Sequence, residues 1–568
     1  MEYLIFGAVC IGLILAMIGR DIYMDRKKQA LFRESLHNDY GVLRKREYSA
    51  ERLLRIDRYF QKHPEKDQID DITWNDLGMD EIFRSMNHTY SAIGEEYLYY
   101  TLRSVGHDLQ ELNDLEKIIG YFEQHEEQRV AFQLLMAKLG YMGKYSLYDY
   151  IDNLDYLGKR SNRNTYIRNA IFFGFIALMP FAFSYALIGM IAVLITNNLI
   201  YYKQKNEIEP YVISFVYILK LLQCAEKAEN LSKDLDDEEV FAKEIQKLKA
   251  AGKSLKPLRK GSFWVLCGNG SLGGDPAGMI VDYIKMAFHV DLIHFNRMLA
   301  YLREHTEEVD TICTCMGKLE TCIAIGAHRV ALKKKNGFCI PELSDNTSFI
   351  ELIMNDGYHP LLETPVKNSI DAKRGVLITG SNASGKSTFL KMVALNAIFA
   401  QTIHTCTCSQ YRAPLYRIYS SMALHDDLQG GDSYYIVEVK ALKRILEAAS
   451  VGQRPVLCFV DEVLRGTNTI ERIAASTQIL KSLGSKNTLC FAATHDIELT
   501  ELLEQDFDNY HFTEEISDGD VVFPYLLLDG KATSRNAIRL LEMIGYEEKI
   551  IEKAEKMAEN FIQNGNWK

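Results

Sequence analysis

The chain has 568 residues, of which 47% are hydrophobic and 25% are charged, and its formal net charge is -11. These values exclude wholesale disorder, a collagen-like repeat, a small disulfide scaffold and a globally basic nucleic-acid coat. The length suits about three or four domain-sized units. The eleven cysteines form no CxxC motif, so we predict free thiols in a reducing compartment.

The first predicted element is a membrane anchor over residues 1–25. Tyr3 to Gly19 form a run of 17 residues without a charge, and Arg20 and the basic run at 26–28 follow it. A secretory signal peptide carries its basic residues before the apolar run, not after it. We therefore predict an uncleaved anchor with its N-terminus outside and the following chain in the cytoplasm.

A basic juxtamembrane segment is predicted over residues 26–73. Residues 26–62 contain eleven Lys or Arg against five Asp or Glu. Beside a membrane anchor, such a segment favours attraction to the anionic headgroups of a lipid bilayer. Contact with DNA is the alternative interpretation of the same charges.

A second apolar block predicts a transmembrane helical hairpin over residues 167–203. No charge occurs in the 34 residues between Arg168 and Lys203. One helix of that length would reach about 50 Å, which exceeds a hydrocarbon core of about 30 Å. Two short spans that meet near Pro180 to Ser184 fit better, and basic residues on both sides place both ends in the cytoplasm. A buried hairpin of a soluble domain is the alternative.

The remaining chain predicts an α+α/β fold. Apolar residues at three- and four-residue steps predict a helical core, with a first part at 74–166 and a second part at 204–336. Short apolar runs alternating with turns and helices then predict an α/β domain, which with its C-terminal helices covers 337–568. The hairpin would thus be inserted into the helical core, ahead of the α/β domain.

The sequence predicts a phosphate-binding loop near the start of the α/β domain. A predicted buried strand at 375–379 leads into G-x-x-x-x-G-K-[ST] and then into an apolar helix. Backbone N–H groups of such a loop surround phosphates at the helix N-terminus, a Lys reaches the β- and γ-phosphates, and a Ser holds Mg²⁺. The predicted ATP-binding residues are Gly380, Ser381, Asn382, Ala383, Ser384, Gly385, Lys386, Ser387 and Thr388.

The second half of the predicted site follows two later strands. An apolar strand at 455–460 ends in Asp461 and Glu462, and another at 488–493 ends in Thr494 and His495. We expect Asp461, with Ser387, to hold Mg²⁺ and Glu462 to orient or deprotonate the attacking water. His495 is predicted to sense the γ-phosphate. Together with Lys386, Glu462 and His495 are the predicted catalytic residues.

Taken in order, these motifs resemble the ATPase domain of the MutS family of DNA mismatch-repair proteins. ITGSNASGKST resembles the family's ITGPNMGGKST, DEVLRGTNT resembles DEIGRGTST, and ATHDIEL resembles ATHYFEL. In the stretch ALHDDLQGGDSYYIVEV, Ser433 and Glu438 match the family's signature. A weaker resemblance at 80–122 and 316–329 extends to the family's helical core.

The resemblance implies a Mg²⁺-dependent ATPase that works as a homodimer. Ser433 would then contact the partner's nucleotide in trans, and Asn468 would lie at the same junction between the two sites. The family's mismatch-sensing domain has no counterpart, and Phe32-Arg33-Glu34 matches its Phe-x-Glu wedge by coincidence. Pro365-Val366 replace the aromatic residue that stacks on adenine in the family. The chain therefore resembles a membrane-bound branch of the family.

Two classes of function remain open from the sequence. The first is a multi-pass membrane-anchored ATPase, with its ATPase domain in the cytoplasm, that couples the ATP cycle to mismatched or branched duplex DNA. The second is an ATP-driven membrane-remodelling or transport-coupled protein that does not bind DNA. A scaffold that holds nucleotide without turnover is disfavoured, because Glu462 and His495 are both present.

Overall fold

A computed structural model describes most of the chain, and its described parts divide into two compact units. The described residues are 19–20, 23–24, 26–43, 47–143, 145–233, 238–266, 276–346, 350–381, 384–422, 434–464, 467–484, 487–517, 520–532, 538 and 545–564. The anchor predicted at Tyr3 to Gly19 lies outside them, except for Gly19. The first unit comprises Met1–Pro64, Met86–Tyr100 and Lys117–Val330, and the second comprises Glu65–Ser85, Thr101–Glu116 and Ala331–Lys568.

Helices make up the N-terminal part of the chain, as its periodicity predicts. In chain order they are α1 (26–38), α2 (Ala50–Ile56), α3 (Arg58–Lys62), α4 (Asp71–Asp76), α5 (Met79–Met86), α6 (Ala92–Arg103), α7 (Leu109–Gln124), α8 (Glu126–Leu139), α9 (Leu147–Asp152), α10 (Arg163–Leu178), α11 (Phe183–Lys233), α12 (Glu238–Leu255), α13 (Ser262–Leu266), α14 (Pro276–Phe288), α15 (Val290–Arg303) and α16 (Thr306–Lys335). Two short 3-10 helices, Leu154–Leu157 and Lys256–Arg259, lie between them.

Helices α10 and α11 form a helical hairpin whose turn lies at residues 179–182, where the sequence predicts a break. The two helices pack closely, because Gly189 has no side chain where the ring of Phe175 lies. Large apolar side chains cover the outside of the hairpin, and Phe181 at the turn is 88% exposed. The exposed set is Ile167, Ile171, Phe173, Ile176, Leu178, Phe181, Phe183, Tyr185, Ile188, Ile191, Ile195 and Leu199.

A polar cluster closes the other end of the hairpin. The guanidinium of Arg168 donates to Asn197 Oδ1 at 2.9 Å, and Asn197 Nδ2 donates to the carbonyl of Ala287 at 2.7 Å. The ring of His289 bonds to the carbonyl of Asn197 at 2.8 Å. Among the described residues, one helix, within Phe183–Leu231, is long and apolar enough to cross a membrane by length and composition. Two membrane spans are therefore not shown by the structure.

The C-terminal part of the chain is an α/β domain. Its elements in chain order are β1 (Glu342–Ser344), β2 (Leu352–Gly357), β3 (Asn368–Ala372), β4 (Gly375–Thr379), α17 (Lys386–Thr402), β5 (Gln410–Pro414), β6 (Arg417–Ser421), α18 (Tyr434–Ser450), β7 (Val456–Asp461), α19 (Thr469–Gly484), β8 (Thr488–Thr494), α20 (Glu498–Leu502), β9 (Phe507–His511), β10 (Glu515–Ser517), β11 (Asp520–Val522), β12 (Leu528–Asp529) and α21 (Glu548–Asn564).

Six of these strands form the central sheet, in the order β12-β9-β4-β8-β7-β6. The strands from β9 to β6 are parallel, and β12 is antiparallel to β9. Because a parallel sheet is covered on both faces, its strands are continuous apolar runs, and all residues of β4 and β8 are buried. A mixed sheet in the order β1-β5-β2-β3 and the ribbon β10-β11 complete the domain.

A segment from far upstream covers the β6 edge of the central sheet. Residues 65–85 belong to the same compact unit as this sheet. The buried carboxylate of Asp76 accepts from Ser420 Oγ at 2.6 Å and from the Met422 N–H at 2.9 Å. Thr73 Oγ1 accepts from the Ser420 N–H at 3.1 Å. Helix α4 thus satisfies donors that an edge strand would otherwise expose.

Candidate nucleotide-binding site

The phosphate-binding loop lies at the carboxyl end of β4, where open α/β sheets bind their ligands. Gly380 has φ 146° and Gly385, the N-cap of α17, has φ 106°, which are conformations that favour glycine. A Cβ on Gly380 would lie 2.8 Å from Ser384 Oγ. The buried Lys386 Nζ donates to the carbonyls of Gly380 and Ser381 at 2.8 Å each. The start of the loop, at Gly380 and Ser381, is therefore held against the ammonium group of Lys386.

The predicted Mg²⁺ ligands and the predicted catalytic residues meet beside this loop. Ser387 Oγ donates to a carboxylate oxygen of Asp461. The ring Nε2 of His495 lies 2.8 Å from Glu462 Oε1 and 3.4 Å from Lys386 Nζ. Parallel pairing of β4, β8 and β7 brings these residues together, because each follows or ends a strand at the same edge of the sheet.

The turn after β7 is held in an uncommon conformation. Glu462 and Leu464 have φ 56° and φ 59°, values that cost a non-glycine residue about 1–3 kcal/mol. The buried carboxylate of Glu438, in α18, accepts from the Leu464 N–H. The signature glutamate therefore fixes the turn that presents Glu462 to His495.

A cavity of about 410 Å³ adjoins the phosphate-binding loop. Its lining includes Lys386, Ser387, His359, Phe512 and Tyr525. Burial lowers the pKa of His359 to about 4, with a smaller contribution from the charge of Lys391, so its ring is neutral at pH 7. The volume and the mixture of apolar and polar lining suit a small organic ligand with a phosphate end.

Tyr525 is a site residue that the sequence does not predict. Its ring lies against Gly385, and its backbone has φ 56°. Asn368 in β3 holds this conformation, because Asn368 Nδ2 donates to the Tyr525 carbonyl at 3.0 Å and its Oδ1 accepts from the Leu527 N–H at 2.8 Å. No motif connects Tyr525 to the loop, and only the fold brings them together.

An ion pair that the motifs do not predict lies next to His495 in the chain. The Arg472 guanidinium, in α19, donates to both carboxylate oxygens of Asp496 at 2.9 and 2.6 Å. Hydrogen bonding to Asp496 raises the pKa of Arg472. The pair ties the first turn of α19 to the residue that follows His495.

The other predicted site residues have different placements. Asn382, Ala383 and Ser433 lie outside the described residues. Asn468 is exposed and precedes α19, where its side chain accepts from the Ile470 N–H at 3.0 Å. Thr388 lies in the first turn of α17 and lines the cavity. A contact of Asn468 or Ser433 with a second chain stays a prediction.

The donor set beside the loop fits Mg²⁺ better than a transition metal. Within the described ranges, no group of three or more His, Cys, Asp or Glu side chains could hold a metal ion. Ser387 and Asp461 offer adjacent hard oxygens beside the phosphate-binding loop. Mg²⁺ commonly binds through one or two protein oxygens, with substrate phosphates and waters completing its shell.

Comparison with known proteins matches this domain to one family. Residues 376–562 match the family model described as MutS domain V. The chain is similar to the DNA mismatch repair protein MutS of Thermus thermophilus, with 29% identity over 257 residues, or 44% of this chain and 30% of that protein. It is similar to MutS of Thermus aquaticus, with 32% identity over 223 residues, or 38% of this chain and 26% of that protein. The match thus covers less than a third of each relative.

Proposed function

We propose that the chain binds and hydrolyses ATP with Mg²⁺, because residues 376–562 match the family model described as MutS domain V. The observation that carries this proposal is the convergence of Lys386, Glu462 and His495 beside a phosphate-binding loop. ATP hydrolysis needs phosphates held in place, a positioned water and compensation of charge. These residues can supply all three.

The proposed mechanism assigns one task to each group. Lys386 and the backbone of the loop bind the phosphates, and Lys386 would exchange its carbonyl partners for phosphate oxygens. Ser387 and Asp461 would hold Mg²⁺, which neutralises phosphate charge when bound. Glu462 orients the attacking water and accepts its proton, and His495 keeps the Glu462 carboxylate in place through their 2.8 Å contact. Tyr525 offers an aromatic face to the base of the nucleotide.

We further propose that two chains form composite sites. Ser433 belongs to the signature segment, and its hydroxyl would reach the partner's γ-phosphate. Asn468 would lie at the same junction. The support is the family membership of the domain, together with the exposed side chains of Asn468 and Ile470 next to the turn after β7.

We propose that the ATP cycle is coupled to duplex DNA with mismatched or branched structure. The relatives named above are DNA mismatch repair proteins, and residues 80–122 and 316–329 resemble the family's helical core. The alternative is membrane remodelling or transport without DNA. It is favoured by the exposed apolar hairpin and by the net charge of -11.

A salt series separates these two functions. The detergent-solubilised full chain is expected to bind a branched or mismatched duplex, with log affinity falling linearly as log salt concentration rises. The expected slope is about -0.9 for each phosphate that the protein neutralises. Fluorescence anisotropy between low and physiological salt measures it. ATP turnover without any salt-dependent DNA binding would leave the membrane function as the better account.

We propose that the hairpin of α10 and α11 attaches the chain to a cell membrane and leaves the ATPase domain on the cytoplasmic side. The support is its exposed apolar surface, which ends at the polar cluster around Arg168 and Asn197. Basic residues lie near that end, including Arg160, Arg163 and Lys203. They suit the anionic headgroups of a cytoplasmic leaflet, as do the basic residues at 26–62.

The length of α10 sets how deep the hairpin can reach. Its 16 residues rise about 24 Å, which is less than a hydrocarbon core of about 30 Å. Only the ten residues from Asn169 to Leu178 lie beyond Arg168, and they rise about 15 Å. With Arg168 at the headgroups, the turn lies near the middle of the bilayer. The turn would thus stay inside the bilayer, whereas the two short spans that the sequence predicts would carry it to the far side.

Thiol labelling measures this depth. In Phe181→Cys protein, an impermeant maleimide should not label residue 181 from outside intact cells or in inside-out vesicles, but should label it in detergent. Tyr156→Cys is the matched control, because Tyr156 lies in the same unit and is 85% exposed. It should react in inside-out vesicles without detergent. Labelling of residue 181 from outside would indicate two full spans, and its labelling in vesicles without detergent would contradict insertion.

A further inference from the structure

Three cysteines that are distant in sequence meet at one point of the second unit. Cys339 follows α16, and Cys406 and Cys408 lie between α17 and β5. The Cys339 N–H donates to the Cys406 carbonyl at 3.0 Å, and the Cys406 N–H donates to the Cys339 carbonyl at 2.9 Å. Cys339 Sγ lies 3.4 Å from Cys408 Sγ. We call these three residues the thiol cluster.

The three thiols are not equivalent. Cys339 is partly exposed, whereas Cys406 and Cys408 are buried. Hydrogen bonds from the Cys406 and Cys408 thiols, and one from the backbone of Tyr411, lower the pKa of Cys339 against the opposing effect of burial. Burial and the neighbouring sulfurs raise the pKa of Cys406. The hydrogen bond to Cys339 raises the pKa of Cys408. Cys339 is therefore the more acidic and the more accessible thiol, and it lies beside a buried Cys408 thiol that holds its proton more tightly.

We propose that the thiol cluster is a redox modification site, in which Cys339 reacts with hydroperoxides and Cys408 resolves the product to a disulfide. The Cys339 thiolate attacks hydrogen peroxide, the O–O bond breaks, and the leaving hydroxide takes a proton to become water. The Cys408 thiol then attacks the sulfenic sulfur of Cys339. An S–S bond forms, the S–O bond breaks, and a second water leaves with the Cys408 proton. Two thiols are thus oxidised and one peroxide is reduced to two waters.

The geometry favours Cys408 as the resolving thiol. A disulfide needs an S–S bond of about 2.0 Å, so the two sulfurs have to approach from 3.4 Å by little more than an ångström. Cys406 is fully buried, and its thiol also lies within hydrogen-bond distance of the Asn396 carbonyl, at 3.5 Å. The backbone bonds between Cys339 and Cys406 keep the two segments side by side during the reaction.

A Cys339–Cys408 disulfide would restrain the chain where α16 leads into the α/β domain. Cys339 follows α16, the helix that leads into this domain, and Cys408 follows Thr407. The Thr407 carbonyl accepts from the Tyr358 N–H at 3.0 Å, and Thr407 Oγ1 donates to the Tyr358 carbonyl at 2.8 Å. Tyr358 precedes His359, which lines the nucleotide cavity. The disulfide would therefore link the end of α16 to the segment that supports this cavity wall.

The chain contains an internal control for thiol reactivity. Cys458 and Cys490 are register partners on β7 and β8, and both are fully buried in the core of the sheet. They are close neighbours without access to solvent. Hydrogen peroxide should therefore leave them reduced under conditions that oxidise the thiol cluster.

Peptide mass spectrometry on the reduced full chain tests the proposal. Peroxide treatment should give a peptide linked through Cys339 and Cys408, which dithiothreitol reverses, while Cys458 and Cys490 stay alkylatable. In Cys408→Ser protein, dimedone should trap a sulfenic acid on Cys339, and in Cys339→Ser protein it should label neither remaining cluster thiol. Oxidation of Cys339 no faster than that of Cys458, or a link through Cys406 instead, would overturn it.

The pH dependence of alkylation adds a readout that needs no variant. Between pH 6 and pH 8 the iodoacetamide rate at Cys339 should rise much less than that of an ordinary thiol, because the lowered pKa of Cys339 favours its thiolate. A thiol with the ordinary pKa of about 8.5 would react about 75-fold faster at the higher pH. A rise of that size at Cys339 would contradict the proposal. None of these measurements depends on ATP turnover, so the result stands apart from the proposed ATPase.

Discussion

Glu462→Gln protein is expected to bind ATP with unchanged affinity and to lose about 10²- to 10⁴-fold in kcat. General-base catalysis typically contributes a factor of this size, and an amide cannot accept the proton of the attacking water. The substitution keeps the shape of the side chain and one oxygen near His495 Nε2. In the original protein, Glu462 Oε1 lies 2.8 Å from this nitrogen. The phosphate contacts of Lys386 and the pair Ser387–Asp461 are unaffected. Steady-state phosphate release and equilibrium binding of a fluorescent ATP analogue measure the two effects.

Glu471→Gln is the matched control for this experiment. Glu471 lies in the first turn of α19, and its carboxylate contacts Thr467 at 3.4 Å instead of a site residue. Its kcat should stay within about twofold of the original protein, as for an ordinary surface substitution. Equal losses of kcat in the two variants would mean that the loss in Glu462→Gln comes from a general effect on the fold and not from activation of the attacking water. A loss of ATP affinity in Glu462→Gln would likewise contradict its assigned role.

Lys386→Ala protein is expected to lose ATP affinity by at least about 100-fold. Hydrogen bonds to charged groups contribute about 1.5–3 kcal/mol each, and Lys386 would make two of them to phosphate oxygens. The buried Nζ already bonds to two carbonyls of the loop, so its removal also leaves these carbonyls without their donor. Isothermal titration with a slowly hydrolysed ATP analogue measures the affinity.

Lys373→Ala controls for the loss of a positive charge in the same domain. Lys373 is exposed beside β4 and pairs with Asp371, away from the cavity lining. Its ATP affinity should be unchanged. If both lysine variants bound ATP equally well, Lys386 would not be the phosphate ligand. If Lys386→Ala lowered kcat and left ATP affinity unchanged, Lys386 would stabilise the transition state instead of contributing to ATP binding.

Local sequence was sufficient to identify the centre of the site. The turn of the phosphate-binding loop depends on Gly380 and Gly385, whose conformations are encoded within eight residues. Asp461, Glu462 and His495 each follow or end an apolar strand. Since parallel strands end at one edge of a sheet, strand assignment alone brings these residues together. A sequence predicts such features when each depends on neighbours in the chain.

The remaining features depend on pairs that are distant in sequence. Tyr525 meets Asn368 across 157 positions, and Cys339 meets Cys408 across 69. Neither pair has a spacing that a motif could reveal. The break in the apolar hairpin was predictable from its turn residues. The contact of Arg168 with Asn197, on which the proposed depth of insertion rests, was not, because only the packed helices define it.

The cover on strand β6 has a consequence for synthesis. Asp76 and Ser420, which bond at 2.6 Å, are 344 positions apart. At a translation rate of about 5–20 residues per second, α4 leaves the ribosome roughly 17–70 s before its partner strand exists. During that interval Asp76 and Thr73 lack their hydrogen-bond donors and have to remain in contact with water. Helix α4 can pack on the β6 edge only late in synthesis. A nascent chain stalled before residue 420 would contain helix α4 without the complete strand β6. A fragment that begins at α16 would contain strand β6 without α4, and we expect it to aggregate through that exposed strand edge.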